Sequence, residues 1–339
     1  MEIIEEILNE ENLKPFFVLE NFYDKNEIVM FDIETTGLSS RNSLIYLIGL
    51  NYYKDGNYHI TQLFNDDGKS EKEIIETFLK MISGYKYLME FNGDMFDIPF
   101  VKARMDYIKN KTGYKFTDEL DNIRSIDLYK IIRPYKTTLG LPNAKQKTIE
   151  KYLGIYREDK YNGGQLIDVY FDYLTCKDET SRSLVLRHNR DDMEGMYFLT
   201  SILSYESIKQ GNVKYQSISM EEKNNCLYLN IKLMSASPLP RSLDTSGEGI
   251  LLSGDKYNIN LRIPVFCGIL RFYYPNSKEY ETSEGYFIYS ADFDRMPVFK
   301  EDYKSKRNYI EINDTFLSNK EFIEEYSKCI TKMIMSKKK

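Results

Sequence analysis

Ile28-Val29-Met30-Phe31-Asp32-Ile33-Glu34, continued by Thr35-Thr36-Gly37-Leu38, sets two carboxylates two residues apart inside an apolar run. Side chains alternate across a strand, so Asp32 and Glu34 leave it on one face. Thr35-Thr36-Gly37 then breaks the strand. Two neighbouring carboxylates at the end of an otherwise buried strand are costly unless a cation neutralises them. A divalent metal ion is the natural candidate.

Working outward, 44–52 and 57–64 are two further strands joined by a turn at Lys54-Asp55-Gly56, so the first three strands form an antiparallel meander. Ile74, Ile75, Phe78, Leu79 and Ile82 give 70–83 a helical period. Tyr87–Phe91 is a strand, 96–110 a helix, 123–126 a short strand, and 127–210 is mostly helical with Gly140, Pro142 and Gly163-Gly164 as punctuation. The order predicts a mixed α/β layer fold. Residues 1–27 are expected to be an N-terminal extension, an acidic helix followed by an aromatic connector. From about 211 the pattern changes to strand-like runs at 226–234, 258–263, 265–273 and 286–290, with a last helix near 319–335 and a lysine tail. The expected organisation is therefore 1–27, a principal domain at 28–210, and a smaller β-rich unit at 211–339.

A second acidic motif, NGDMFDIPF at 92–100, follows the Tyr87–Phe91 strand. Asn92 and Gly93 make the strand-to-helix turn, and Asp94 and Asp97 stand near the start of the helix. Capping and the helix dipole alone would favour acids there. A third motif, RHNRDDMEGM at 187–196, lies on a helix whose stripe runs Val185, His188, Asp192, Met196, Leu199, Leu203. His188 and Asp192 thus share a face, one turn apart. A histidine on an apolar face is more often a satisfied core residue than a catalyst, but the aspartate one turn below shifts the balance. Asp191 could take the place of Asp192, since the stripe through Leu184, Phe198 and Ile202 is also apolar; the His188 partner favours Asp192.

Composition narrows the function classes. The chain has 339 residues, 29 tyrosines, 19 phenylalanines, no tryptophan and a net charge of −6. That charge argues against a non-specific nucleic-acid coat protein but not against a nucleic-acid enzyme, whose site carboxylates count in the total. Cys176, Cys226, Cys267 and Cys329 form no C-x-x-C pair, so reduced, partly buried thiols in the cytoplasm are expected. The acidic N-terminus does not resemble a signal peptide, and no apolar run reaches the ~18 residues of a membrane span. Between 101 and 150 Lys and Arg outnumber the acids, with tyrosines interleaved. This suits a single strand held by phosphate contacts and base stacking, or equally a solvated lysine face. GEGILLSGDK at 247–256 has Asp255 where a P-loop needs lysine, so it reads as a turn between strands.

Taken together, Asp32-x-Glu34, Asn92 to Asp97, and His188-x-x-x-Asp192 resemble the motifs of the DEDD family of 3′→5′ exonucleases, on the ribonuclease H-like fold. IYLIGL at 45–50, EFNGDMFDIPFVKAR at 90–104 and HNRDDMEGM extend the likeness to the YprB-type bacterial branch, over about 28–210. Histidine-type members place His five residues before the final Asp and tyrosine-type members place Tyr four before it; this chain has His at four. The resemblance implies a mixed sheet flanked by helices and a two-metal site for Mg²⁺ or Mn²⁺. Asp32 would bridge both ions, Glu34 and Asp192 would complete the site of the water-activating ion, and Asp97 would hold the second. His188 would orient or deprotonate the attacking water. Thr35, Thr36 and Leu38 would line the pocket for the terminal nucleotide, supported by Asn92 and Phe96. The implied partner is nucleic acid, with single-stranded 3′ ends favoured. A nuclease-fold binding module with little activity and an endonuclease on the same fold are the alternatives.

Overall fold

The computed structural model describes residues 1–8, 19–157, 161 and 163–336. The chain forms two compact units: Met1–Arg133 with Leu141–Ser201, and Pro134–Gly140 with Ile202–Lys339.

The first unit is built on a six-stranded mixed sheet in the order β1-β4-β3-β2-β5-β6. Its strands are β1 (Glu2–Ile7), β2 (Ile28–Thr35), β3 (Ile45–Lys54), β4 (Asn57–Phe64), β5 (Tyr87–Glu90) and β6 (Arg124–Asp127). β1, β4, β3 and β2 pair antiparallel, while β5 runs parallel to β2 and β6 parallel to β5. β2 is therefore central, and its C-terminal end shares an edge with the ends of β5 and β6. In sheets with parallel strands, that edge is where ligands collect.

Alternation along β2 divides its two faces. Val29, Phe31 and Ile33 pack on α1 (Glu71–Ile82) and α2 (Asp97–Thr112), with Phe31 stacked on Phe78 at 5.2 Å. After the short helices α3 (Glu119–Asn122) and α4 (Leu128–Ile132) come α5 (Gln146–Leu153), α6 (Gly163–Cys176) and α7 (Glu179–Leu199). The opposite face of the sheet carries a second core of Tyr46, Leu47, Phe64, Tyr170, Tyr173, Val185 and Leu186, residues of β3, β4, α6 and α7. Asp32 and Glu34 point to this second side.

The opening residues correct the sequence-based expectation. Residues 2–7 are an edge strand and not a helix, paired with β4 from Glu2↔Phe64 to Ile7↔His59. The free edge of β4 needs a partner, and the β-branched Ile3, Ile4 and Ile7 favour an extended chain. Glu2 and Glu6 on the same face meet Arg182 and Arg190 of α7. The connector at 9–18 and the lysine tail at 337–339 lie outside the described residues.

The second unit contains α8 (Leu203–Lys209), a five-stranded antiparallel sheet, a small closed barrel, and the helices α9 (Asp314–Ser318) and α10 (Lys320–Ser336). The sheet comprises β7 (Val213–Lys223), β8 (Cys226–Ser235), β9 (Leu243–Gly247), β10 (Ile250–Asp255) and β11 (Asn258–Pro264). The barrel comprises β12 (Phe266–Tyr273), β13 (Tyr280–Tyr289), β14 (Phe299–Lys300) and β15 (Tyr309–Glu311) around Leu270, Phe287, Phe299 and Tyr309. The glycine-rich stretch at 247–256 is the β9–β10 hairpin, with Glu248 and Gly249 both at positive φ, as a two-residue turn requires. The four cysteines are free; Cys176, Cys226 and Cys267 are exposed, so the expected partial burial holds for Cys329 alone. Among the described residues no helix is long and apolar enough to cross a membrane.

Candidate active site

The site forms where β2 outruns β5. The parallel pairing of the two ends at Met30↔Met89, so the main-chain N–H of Ile33 lacks a strand partner on that side. Asp97, the first residue of α2, supplies one: Ile33 donates to its Oδ1 at 3.2 Å. Asn92 makes the turn into α2 in the left-handed region, at φ 66°, which asparagine tolerates better than most residues. Its N–H donates to Asp127 Oδ1 at 3.0 Å. Neither acid of the second motif caps α2 through its side chain. Asp94 lies outside the helix, paired with Lys130 and accepting from Ser125 at 2.6 Å.

From the other side of the sheet α7 brings His188 and Asp192. His188 Nε2 lies 3.3 Å from Asp192 Oδ2 and 3.7 Å from Glu34 Oε1. Asn189, between them in sequence, donates from Nδ2 to Asp32 Oδ2 at 3.1 Å. Its own Oδ1 accepts from Gln62 Nε2 at 3.0 Å, and the same nitrogen donates to the carbonyl of Leu186 at 2.7 Å. Asp32 is thus steered by an amide relay reaching into β4.

The helix approaches this closely because β3 carries Gly49 opposite Asp32. A Cβ at 49 would lie 2.8 Å from Met193 Cγ and closer still to Asn189 Oδ1. Asp191 is turned away from His188, its carboxylate 3.5 Å from Arg190. Of the two aspartates, it is Asp192 that stands with His188 and Glu34.

Burial sets the electrostatics. Asp32 is held far above the usual carboxylate range, first by burial, then by the charges of Asp97, Asp192 and Glu34. Asp97 is pushed up to about 7, mainly by burial, against the hydrogen bond from Ile33. Glu34, His188 and Asp192 present donor atoms that all lie within 4.8 Å of one another. Carboxylate oxygens of this density suit hard divalent cations, and a cation would relieve the cost of burying them. Thr35 Oγ1 donates to the carbonyl of Gly37 at 2.9 Å, and Thr36 Oγ1 accepts from Leu44 N–H at 3.0 Å. Both threonines therefore brace the loop that carries Leu38, which is 89% exposed. Phe96 packs on the core below the site and tilts against Phe100.

Other charged groups near the site have roles that the motifs did not indicate. Glu90, Asp94 and Asp127 form a second acidic group at the ends of β5 and β6, with Glu90 pushed up to about 8 by burial and then by Asp127. Arg157 is buried against Asp192 and Glu150. Arg104, counted above among the cations of 101–150, is also buried: it pairs with Glu71 at 2.7 Å and donates to the carbonyl of Ser40 at 2.7 Å, bracing the loop after β2. Lys102 and Lys130 are paired with Asp121 and Asp94.

Residues 29–204 match the family model described as the RNase_H superfamily. The chain is similar to an uncharacterised protein of Bacillus subtilis (strain 168), YprB, at 26% identity over 196 residues, covering 56% of this chain and 45% of that protein. It thus spans less than half the length of this curated relative. Among solved structures, it is similar to the family B DNA polymerase of Pyrobaculum calidifontis, with 11% identity and a TM-score of 0.44, covering 91% of this chain and 46% of the polymerase. The zinc-bound E. coli exonuclease I complex with single-stranded DNA is similar at 11% identity and a TM-score of 0.29, covering 63% of this chain and 55% of that one.

Proposed function

The chain belongs to the RNase H superfamily, and on that premise we propose that it is a DEDD-type exonuclease, hydrolysing nucleic acid from a 3′ end with two divalent metal ions, Mg²⁺ or Mn²⁺. The observation that carries this reading is the convergence of Glu34, His188 and Asp192, with Asp32 and Asp97 beside them, at the C-terminal end of the central strand. Asp32, Glu34, Asp97 and Asp192 would hold the ions. Such ions supply Lewis-acid activation of water and neutralise the charge that builds on the phosphate in the transition state.

The protein's own groups do the rest. His188 Nε2 takes a proton from the attacking water, and the adjacent carboxylates of Asp192 and Glu34 stabilise the ring once it is charged. Asn189 holds the Asp32 carboxylate in place. Leu38 offers an apolar surface to the last base, and Thr35, Thr36, Asn92 and Phe96 shape the pocket around it. A single-stranded 3′ end is the favoured substrate.

The test is incubation with 3′- and 5′-labelled single- and double-stranded DNA and RNA, with Mg²⁺, Mn²⁺ or EDTA. A metal-dependent ladder from the 3′ end is expected. It should vanish in Asp32→Ala and fall further in Asp192→Asn than in Asp191→Asn. Internal cuts would make the protein an endonuclease, and binding without cleavage under every metal would make it a binding module. Near-native cleavage by Asp32→Ala would remove this site from the reaction.

A further inference from the structure

The two carboxylate oxygens of Asp192 have different surroundings. Oδ2 faces His188 Nε2 at 3.3 Å, on the side shared with Glu34. Oδ1 accepts from Arg157 Nη1 at 2.5 Å. The remaining nitrogens of Arg157 go to Glu150, Nε to Oε2 at 2.5 Å and Nη2 to Oε1. Glu150, on α5, is 1% exposed. Gln146, one turn earlier, donates to Glu150 Oε1 at 3.1 Å and to the main-chain carbonyl of Asp192 at 2.8 Å. A guanidinium clamped this way by a bidentate carboxylate has a fixed direction.

Gly195 makes the clamp possible. It lies within α7, where glycine is a much poorer helix former than alanine. A Cβ there would stand 2.6 Å from Arg157 Nη2 and closer to Glu150 Oε1. The helix therefore carries its weakest helix former where it faces the buried pair. The charges also count: Glu150, Arg157 and Asp192 sum to −1, so the arginine is balanced by Glu150 and leaves the charge of Asp192 for another cation.

We infer that Arg157 is a positioning residue for metal binding: held by Glu150, it occupies Oδ1 of Asp192 and presents Oδ2 to the ion. The inference rests on the metal-dependent reading above and names a device within that site. Arg157 acts through Asp192, because its guanidinium nitrogens are taken up by Glu150 and Asp192.

The experiment is calorimetric titration of the full chain with Mn²⁺ alone. Arg157→Gln should raise the Mn²⁺ dissociation constant by about 10- to 100-fold, the usual effect of removing a group that orients a metal ligand. Because that change strands Glu150 as a buried charge, the Glu150→Gln/Arg157→Gln pair repeats the measurement with no unpaired charge left, its fold checked by circular dichroism. Arg157→Lys should recover part of the affinity, and Arg157→Gln should add nothing further in an Asp192→Asn background. Parent-like or tighter Mn²⁺ binding by the folded Gln variants overturns the inference, and tighter binding would make Arg157 a competitor of the metal. If the parent binds no Mn²⁺ that Asp32→Asn removes, the metal reading itself fails and this inference falls with it.

Discussion

At the scale of single residues, the site depends on small side chains as much as on charged ones. Gly49 is the example: β3 gives up a Cβ so that Asn189 can reach Asp32. Gly49→Ala should push α7 away from the sheet, costing about 1–3 kcal/mol as overpacked positions do. Urea denaturation would measure that loss, and cleavage should fall with it because Asp32 loses its amide partner. Unchanged stability and activity would mean that the helix is not fitted to the glycine. The motifs made Asp32, Glu34, Asp97 and His188 legible because charge in an apolar period is conspicuous. Gly49, Gln62 and Arg157 carry no such contrast, and their roles follow from which atoms they approach across the sheet.

At the scale of elements, β1 and α7 differ most in how readable they were. The α7 stripe runs at helical spacing over several turns, and its His188–Asp192 pair falls on one face in the structure as well. β1 is short and acidic, and its period is ambiguous until β4 offers an edge. Its two faces make a specific test. Ile4 packs on the core of Tyr46, Phe64 and Tyr170, whereas Ile7 is 59% exposed. Ile4→Ser should lower stability by about 1–2 kcal/mol, roughly the transfer term for a partly buried aliphatic side chain. Ile7→Ser should stay within about 0.5 kcal/mol. Equal losses in thermal or urea unfolding would argue against this register. The second unit shows the same limit: β7 is mostly exposed and polar and β9 spans five residues, so neither stood out as a strand, while β8 and β11 announced themselves by alternating apolar residues.

At the scale of the whole molecule, the buried carboxylates tie stability to pH. Asp97, at about 7 against an ordinary 3.8, and Glu90, at about 8 against 4.5, hold their protons more tightly in the folded chain than in the unfolded one, and Asp32 shifts the same way. Their contribution is complete below about pH 4 and is lost as pH rises through about 7 to 8. Metal-free protein should therefore lose stability across that window, by up to about 1.4 kcal/mol per pH unit for each carboxyl titrating. Asp97→Asn should flatten the slope, and Mn²⁺ should restore stability most at the alkaline end. A metal-free stability that rises between about pH 5 and 8, measured by thermal melts, would contradict the burial argument. The sequence by itself determined the layer order of the first unit and the carboxylates that converge in it, because apolar periodicity and a charge inside an apolar strand are local properties. Only the tertiary structure decided that Asp192 rather than Asp191 stands with His188, that residues 2–7 close the sheet, that Arg104 is buried, and that Arg157 clamps the last aspartate. Except for His188 and Asp192, which lie one helical turn apart, each of these depends on a partner more than 30 residues away, and the side chain that meets it is chosen by packing across layers rather than by neighbours along the chain.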